Sequence, residues 1–368
     1  MTQYTVLVQP SGRSFSADSE QTVLAAALQA GLTLPHGCRN GGCGSCKGRV
    51  LSGEVEHADH AEAALSAAEA AQGLALFCCA QARSPLVIEV RIAAALDGIV
   101  SRRMPARIEH LSRPAPDVAL LRLKLPASEQ LLYRAGQYLD ILLADGSRRS
   151  YSIATAPGEE GPLELHIRHM PGGLFTDALF GCSTPAIQER SILRIEAPLG
   201  SFHLHEELER PIVLLAGGTG FAPLKAIAEY FFAAGLNRDD PLTGRRARPL
   251  VLYWGARTRP DLYLDELPRR WAVEQPNFSY VPVLSEPDAP NEPAWTGRRG
   301  LVHEAVMQDL PDLSAHQVYA CGVPAMVQAA QRDFVGRCGL PQDCFFSDAF
   351  VSLADGAAKK RAWSETRL

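Results

Sequence analysis

Cysteine spacing constrains this chain more than any other feature of it. Cys38, Cys43 and Cys46 stand in a C-x4-C-x2-C run, and the adjacent Cys78 and Cys79 follow after 31 intervening residues. Five of the chain's nine cysteines therefore fall in one short region, with Gly37, Gly41, Gly42 and Gly44 interleaved among the first three. Ordinary buried thiols have no need of four glycines. A loop wrapped around a metal centre does, because its backbone must reach positive φ and aim N–H groups at sulfur. Structural zinc is the competing occupant, but zinc sites more usually present two short-spaced ligand pairs, and a single C-x2-C exists here. An odd number of cysteines behind an N-terminus with no basic-then-apolar leader argues for reduced thiols in a cytoplasmic chain.

At 368 residues the chain has room for two or three domains with cores of their own. A hydrophobic share of 46% against 21% charged excludes disorder and coiled coil. The formal charge of -5 gives no reason to expect nucleic acid as a partner, and no apolar run reaches the roughly 18 to 20 residues of a spanning helix. Composition divides the chain at 1–95, 103–205 and 208–352. The first stretch predicts strands at 4–8, 13–16 and 86–90. It also predicts a helix capped by Ser19, striped by Val23, Leu24, Ala27 and Leu28 and ended by Gly31, and an Ala-rich helix over 61–71. A basic segment over 99–107 containing Pro105 reads as a linker. Strand signals at 118–125, 137–143, 150–155, 163–170 and 191–196 then predict an antiparallel barrel. Apolar strands at 212–216, 250–254, 278–284 and 317–320 alternate with helical stretches, the pattern of a parallel α/β sheet.

The cysteine spacing resembles that of plant-type [2Fe-2S] ferredoxins. The resemblance implies a β-grasp module with Cys38, Cys43 and Cys46 as cluster ligands. Spacing alone hardly chooses between Cys78 and Cys79; the family's Leu-x-Cys sequence, matched by Leu76-Phe77-Cys78, implies Cys78 as the fourth ligand and Cys79 as a packing or shielding neighbour. Further on, Arg149-Ser150-Tyr151-Ser152, preceded by Gly136-Gln137-Tyr138, resembles the Arg-x-Tyr-Ser/Thr motif of the ferredoxin-NADP reductase superfamily. A Tyr and an Arg alternating on a strand are otherwise plain barrel surface. The resemblance makes the barrel an FAD-binding one, in which Arg149 neutralises flavin phosphate, Ser150 lines the motif, Tyr151 stacks on the isoalloxazine and Ser152 approaches flavin N5.

Two glycine-rich turns extend the series. Pro171-Gly172-Gly173-Leu174-Phe175-Thr176 follows a strand and opens a helix, which assigns Gly172, Gly173 and Thr176 to a flavin pyrophosphate and so selects FAD over FMN. Gly217-Gly218-Thr219-Gly220-Phe221-Ala222-Pro223 resembles the superfamily's nicotinamide-binding loop, implying that Gly217, Gly218, Thr219, Gly220 and Pro223 hold NADH, with NADPH possible. Cys321-Gly322-Val323-Pro324 matches the Cys-Gly-x-Pro turn that places Cys321 and Gly322 beside the nicotinamide. The closing segment 345–350 resembles the family's last strand, putting Asp348 and Phe350 near the flavin. At the end of the strand over 278–284, Ser285-Glu286 favours NADH, because a carboxylate repels a 2′-phosphate; Arg257 and Arg259 argue the other way. His57, His60, His203, His205 and Lys359-Lys360-Arg361 read as solvated surface.

Three such sites impose an order on electrons. A nicotinamide gives a hydride, a [2Fe-2S] cluster accepts one electron, and a flavin does both, so the flavin stands in the middle. The arrangement resembles the CDP-6-deoxy-delta-3,4-glucoseen reductase family, whose electrons go to a partner dehydrase, and the reductase components of bacterial aromatic oxygenases. A free flavin or quinone reductase and a non-catalytic electron-carrier or metal-binding module are the other readings. Arg39 and Lys47 are the expected steering charges for a partner protein.

Overall fold

The computed structural model describes residues 2–90, 92, 99–159, 161–287 and 294–350; the basic tail at 359–361 lies outside them. Two compact units emerge. The first holds the N-terminal stretch up to Ile99 together with Gly200–Phe202 and Asp348; the second holds Val100–Leu199 and His203–Ser347.

The first unit is a five-stranded mixed sheet together with a short two-stranded one. Its strands are β1 (Gln3–Gln9), β2 (Arg13–Asp18), β3 (Lys47–Ser52), β5 (Leu74–Leu76) and β7 (Leu86–Glu89) in the order β2-β1-β7-β3-β5, with β1 and β7 parallel. The two-stranded sheet pairs β4 (Val55–His57) with β6 (Ala80–Ala82), antiparallel. Helix α1 (Val23–Gln29) packs Val23, Leu24, Ala26 and Ala27 into the core. Its cap is Thr22, whose hydroxyl accepts the Ala25 N–H, and not Ser19 as the sequence suggests; such a cap is worth about 1 kcal/mol. Gly31 ends the turn at φ 73° as expected. The Ala-rich helix is shorter than its composition predicts. Ser66 and Glu69 form a reciprocal capping box, so α2 begins there and spans only Ala67–Ala71. The cysteine loop joins α1 to β3.

In the second unit, β8 (Arg102–Ala115), β9 (Val118–Lys124), β10 (Tyr138–Leu142), β11 (Arg148–Ser152), β12 (Leu163–Arg168) and β13 (Ile192–Leu199) form an antiparallel sheet in the order β11-β10-β13-β8-β9-β12. A bridge between Ile153 and Leu165 brings the two edges together, which makes a barrel. The segment read as a linker is largely β8. Pro105 pairs with Arg194 of β13 two residues before β9 pairing starts at Arg107, so its missing N–H interrupts no ladder on the other side. Helix α3 (Leu174–Phe180) follows β12.

The remainder is a sheet of β14 (Ile212–Gly217), β15 (Leu250–Ala256), β16 (Phe278–Leu284), β17 (Arg298–Arg299), β18 (Gln317–Gly322) and β19 (Phe345–Ala349), ordered β17-β16-β15-β14-β18-β19. The pairs from β17 to β18 are parallel. Helices α4 (Phe221–Ala233), α5 (Glu266–Glu274), α6 (Val302–Asp309) and α7 (Pro324–Arg337) alternate with the strands. The run over 212–216 is buried throughout, as a strand covered on both faces must be. No helix among the described residues is long and apolar enough to cross a membrane.

Candidate cofactor sites

The cysteine loop is preorganised by its own backbone. Cys38 N–H points at Cys43 Sγ at 3.4 Å, and Cys43 N–H points back at Cys38 Sγ at 3.3 Å. Arg39, Gly41 and Gly44 take positive φ to allow this. A β-carbon at Gly41 would lie 2.7 Å from Cys79 Sγ, so glycine is required there by space as well as by φ. A hydrogen bond from Cys43 holds the Cys38 thiol down at about 7, and bonds from Cys46 and Cys79 hold Cys78 down to about 3. The donating thiols of Cys46 and Cys79 are pushed up by those same bonds and by burial. Cys43 is likewise pushed up by its bond to Cys38 and by burial, so each pair holds one thiol that ionises readily beside one that donates to it; four close thiols, two of them met by backbone N–H groups, are the donor set that an iron–sulfur cluster takes. Cys46 and Cys78 thus meet, while Cys79 Sγ lies between Cys78 Sγ at 3.6 Å and the Asp59 carbonyl at 3.8 Å.

One neighbour of this loop differs from the sequence reading. Lys47 is not a free steering charge, because its ammonium sits 2.7 Å from Glu69 and holds that carboxyl at about 2. Asp348, in β19, lies against the loop as well: a β-carbon at Gly37 would be 3.2 Å from its Oδ1. Its carboxyl is raised to about 7 by burial and by Cys43. Phe350, beyond the end of β19, is half-buried.

On the barrel, β11 alternates Arg149 and Tyr151 against Ser150 and Ser152. Ser150 donates to Asp140 at 2.6 Å, and the Tyr151 ring lies 5.6 Å from Phe175. Arg149 donates to the Ser147 hydroxyl at 3.3 Å and to the Arg148 carbonyl at 2.8 Å. Ser152 Oγ is buried and makes no hydrogen bond among the described residues. A buried hydroxyl with no protein partner fits a ligand atom opposite it, here the flavin ring the resemblance implies. The turn before α3 is tied up within itself. Gly172 N–H goes to Asp177 Oδ2 at 3.1 Å, Gly173 N–H to Met170 O at 2.9 Å, and the Thr176 hydroxyl to Met170 O at 2.8 Å. These three residues shape the turn, and the first N–H groups of α3 have no intrahelical acceptor.

The turn between β14 and α4 is built on close approach. A β-carbon at Gly220 would lie 2.0 Å from the Cys321 carbonyl, and one at Gly217 would lie 2.7 Å from Met326 Sδ. Gly218 takes φ 54° and Trp254 Nε1 donates to its carbonyl at 3.0 Å. Thr219 is buried, Pro223 sits in the first turn of α4, and Cys321 is buried at the end of β18, one strand over, with Gly322 at φ 150°. Arg168, which the sequence reading missed, ends β12 here. Its Nη2 lies 3.5 Å from the β-carbon position of Gly218, and Nε and Nη2 are buried without a hydrogen bond. Nη1 is paired with Asp117 at 3.5 Å, so the guanidinium offers Nε and Nη2 over the glycine-rich turn, which fits an anionic nucleotide. Its signal was its place, two residues before Met170 and the glycine turn.

Between barrel and sheet the second unit buries a polar network. His166 Nδ1 meets the Tyr263 hydroxyl at 2.7 Å, and His166 Nε2 meets Glu164 at 3.1 Å. Glu164 also takes Arg122 at 3.1 Å and Lys225 of α4 at 3.4 Å. Burial raises the Glu164 carboxyl, but His166 and Lys225 outweigh it and hold it at about 2. Lys225 reaches Glu229 at 2.8 Å and the Ala154 carbonyl at 3.0 Å. Glu229 has the opposite balance: burial outweighs Lys225 and raises it to about 7. Its charged form therefore opposes folding, by an amount that is absent below the unfolded value near 4.5 and grows as pH rises through 7. Glu229→Gln is expected to stabilise the holoenzyme by on the order of 2 kcal/mol at pH 8 and hardly at all at pH 4.5, read by scanning calorimetry at both.

The histidines read as surface are not all so. His203 is 1% exposed, bonded to the Leu204 carbonyl at 3.0 Å and stacked on His205 at 4.6 Å. Burial lowers it to about 4, so it packs as a neutral ring. His205 stacks in turn on Phe346 at 4.2 Å.

Comparison with known proteins matches each part of this geometry. Residues 6–83 match the 2Fe-2S iron-sulfur cluster binding domain, 105–204 the oxidoreductase FAD-binding domain and 214–332 the oxidoreductase NAD-binding domain. CDP-6-deoxy-L-threo-D-glycero-4-hexulose-3-dehydrase reductase of Yersinia pseudotuberculosis is 40% identical over 94% of this chain and 98% of its own. Terephthalate 1,2-dioxygenase reductase component 1 of a Comamonas species is 34% identical over 96% and 99%. The crystal structure of the Amycolatopsis cytochrome P450 reductase GcoB superposes with a TM-score of 0.74 at 34% identity, covering 95% of this chain and 99% of that one. The cofactors are thus a [2Fe-2S] cluster, FAD and NAD(H), which when bound supply hydride uptake from the nicotinamide and release of electrons one at a time. The chain belongs to the family of NAD(P)H-dependent iron-sulfur flavoprotein reductases, in which a [2Fe-2S] domain is joined to FAD-binding and NAD-binding oxidoreductase domains.

Proposed function

We propose that this reductase delivers its electrons to a dehydrase that acts on a CDP-linked 4-keto-6-deoxyhexose. The observation that carries the reading is near-full-length identity of 40% to the dehydrase reductase, against 34% to the dioxygenase reductase. Within that reading Cys38, Cys43, Cys46 and Cys78 hold the cluster, Arg149, Tyr151 and Ser152 hold the flavin, and the turn at 217–220 with Cys321 and Arg168 holds the nicotinamide nucleotide. NADH is the donor, on the carboxylate of Glu286, which is exposed beyond the end of β16.

Service to an oxygenase is the second reading. It is favoured by the Amycolatopsis aromatic O-demethylase reductase subunit, 38% identical over 90% of this chain. Reconstitution separates the two. The holoenzyme is mixed with a candidate dehydrase and its CDP-sugar, or with a terminal oxygenase and an aromatic substrate, and NADH or NADPH oxidation is followed with product. Product formed at least tenfold faster with the dehydrase, and with NADH, is the expected result. Turnover with the oxygenase alone rejects the sugar reading, and comparable kcat/KM for the two coenzymes removes the preference for NADH.

A further inference from the structure

Among the described residues, one cluster beside the Gly172 turn brings a nitrogen, an oxygen and a sulfur donor together. His169 follows β12, Asp177 lies in α3, and Cys182 follows α3, and their ligand atoms all lie within 4.8 Å of one another. The fold fixes each of them. Gly181 ends α3 at φ 78°, and the Cys182 N–H returns to the Asp177 carbonyl at 2.7 Å, a helix-ending turn that swings Cys182 back along the helix. The His169 ring is stacked on Phe180 at 4.6 Å and 15°, and its Nε2 meets Asp177 Oδ1 at 2.9 Å. Asp177 Oδ2 accepts the Gly172 N–H at 3.1 Å, and His169 N–H goes to the Asp117 carbonyl at 2.7 Å.

A plain histidine–carboxylate hydrogen bond accounts for His169 and Asp177. It does not account for the thiol placed beside them. We propose that His169, Asp177 and Cys182 form a site for a divalent metal of the zinc class. A mixed N/O/S set disfavours magnesium and calcium, which take oxygen, and suits a borderline-soft ion. Three protein ligands with Cys182 exposed leave a coordination position open to solvent. Binding replaces the His169–Asp177 hydrogen bond by two metal bonds, with the neutral imidazole's proton moved through solvent from Nε2 to Nδ1, and releases the Cys182 thiol proton to solvent. The nearby cation, Arg113, is held over Phe180 at 5.0 Å and bonded to the Leu179 carbonyl at 3.0 Å. A bound ion would clamp the end of β12 to the far end of α3, the two arms that flank the Gly172 turn.

The test uses zinc itself with the full-length holoenzyme, dialysed against chelator and then titrated with Zn2+. The expected result is one retained zinc per chain in addition to cluster iron, with zinc K-edge absorption giving a single sulfur at about 2.3 Å and the remaining shell of nitrogen and oxygen at about 2.0 to 2.2 Å. Cys182→Ala and His169→Gln should each weaken binding at least tenfold, with the flavin and iron–sulfur spectra unchanged as the check on folding. Three results overturn the site: no zinc retained by the wild type, equal retention by the Cys182→Ala variant, or a four-sulfur shell, which would put the metal in the cysteine loop of the first unit.

Discussion

Serine at Cys78 is expected to leave the holoenzyme without its visible cluster spectrum while FAD stays bound. Electron delivery to a one-electron acceptor such as cytochrome c should fall on the order of 10³-fold, since the remaining path is direct leakage from flavin. Serine at Cys79 should leave both spectrum and turnover within about twofold of wild type. The contrast follows from where the two adjacent sulfurs go. Cys78 Sγ meets Cys46, and hydrogen bonds from Cys46 and Cys79 lower its thiol to about 3. Cys79 Sγ turns to the Asp59 carbonyl, and a β-carbon at Gly41 would meet it at 2.7 Å. Because Cys79 bonds Cys78 at 3.6 Å, a modest shift of the cluster spectrum in Cys79→Ser is compatible with this assignment. Loss of iron from Cys79→Ser with retention in Cys78→Ser would reverse it. Iron per chain and the visible spectrum decide, without any need of the physiological partner.

Much of this was legible in the chain, for identifiable reasons. Cysteine spacing and glycine punctuation are local, and the loop at 36–46 is governed by local geometry. The apolar strands of the parallel sheet are legible because burial on both faces leaves few sequences to choose from; the run over 212–216 is one. Boundaries were harder. Ser19 and Thr22 are both competent caps, and the choice between them depends on where the chain leaves β2 to reach the core. The segment over 99–107 looks like a linker because charge and proline mark loops on average, yet Pro105 lies where β8 has a neighbour on one side only. What sequence could not reveal was pairing at long range. Glu164, His166, Tyr263 and Lys225 are unremarkable singly and become a network once β12 meets α4 and the residues after β15. Lys47 looked like a steering charge until Glu69, 22 residues on, paired with it.

Ser152 tests the flavin site most sharply, because removing its hydroxyl should act in opposite directions on folding and on chemistry. Its Oγ is buried and unpaired among the described residues, a state that costs about 1 to 3 kcal/mol when no partner is supplied. Flavin-free Ser152→Ala is therefore expected to be as stable as the flavin-free wild type or up to about 1 kcal/mol more so, measured by urea unfolding. On the proposed assignment the hydroxyl faces a flavin atom in the FAD-loaded enzyme, and its loss should slow reduction of the flavin by NADH on the order of 10²-fold in anaerobic single turnovers, the usual cost of one positioned donor. FAD content should hardly change, because Arg149 and the α3 turn, to which the flavin phosphates are assigned, are untouched by the substitution. A structural serine gives the reverse pattern, with stability lost and the single-turnover rate retained. Stability lost along with rate would mean that the hydroxyl has a partner within the protein fold, and the assignment of Ser152 to flavin N5 would fail with it.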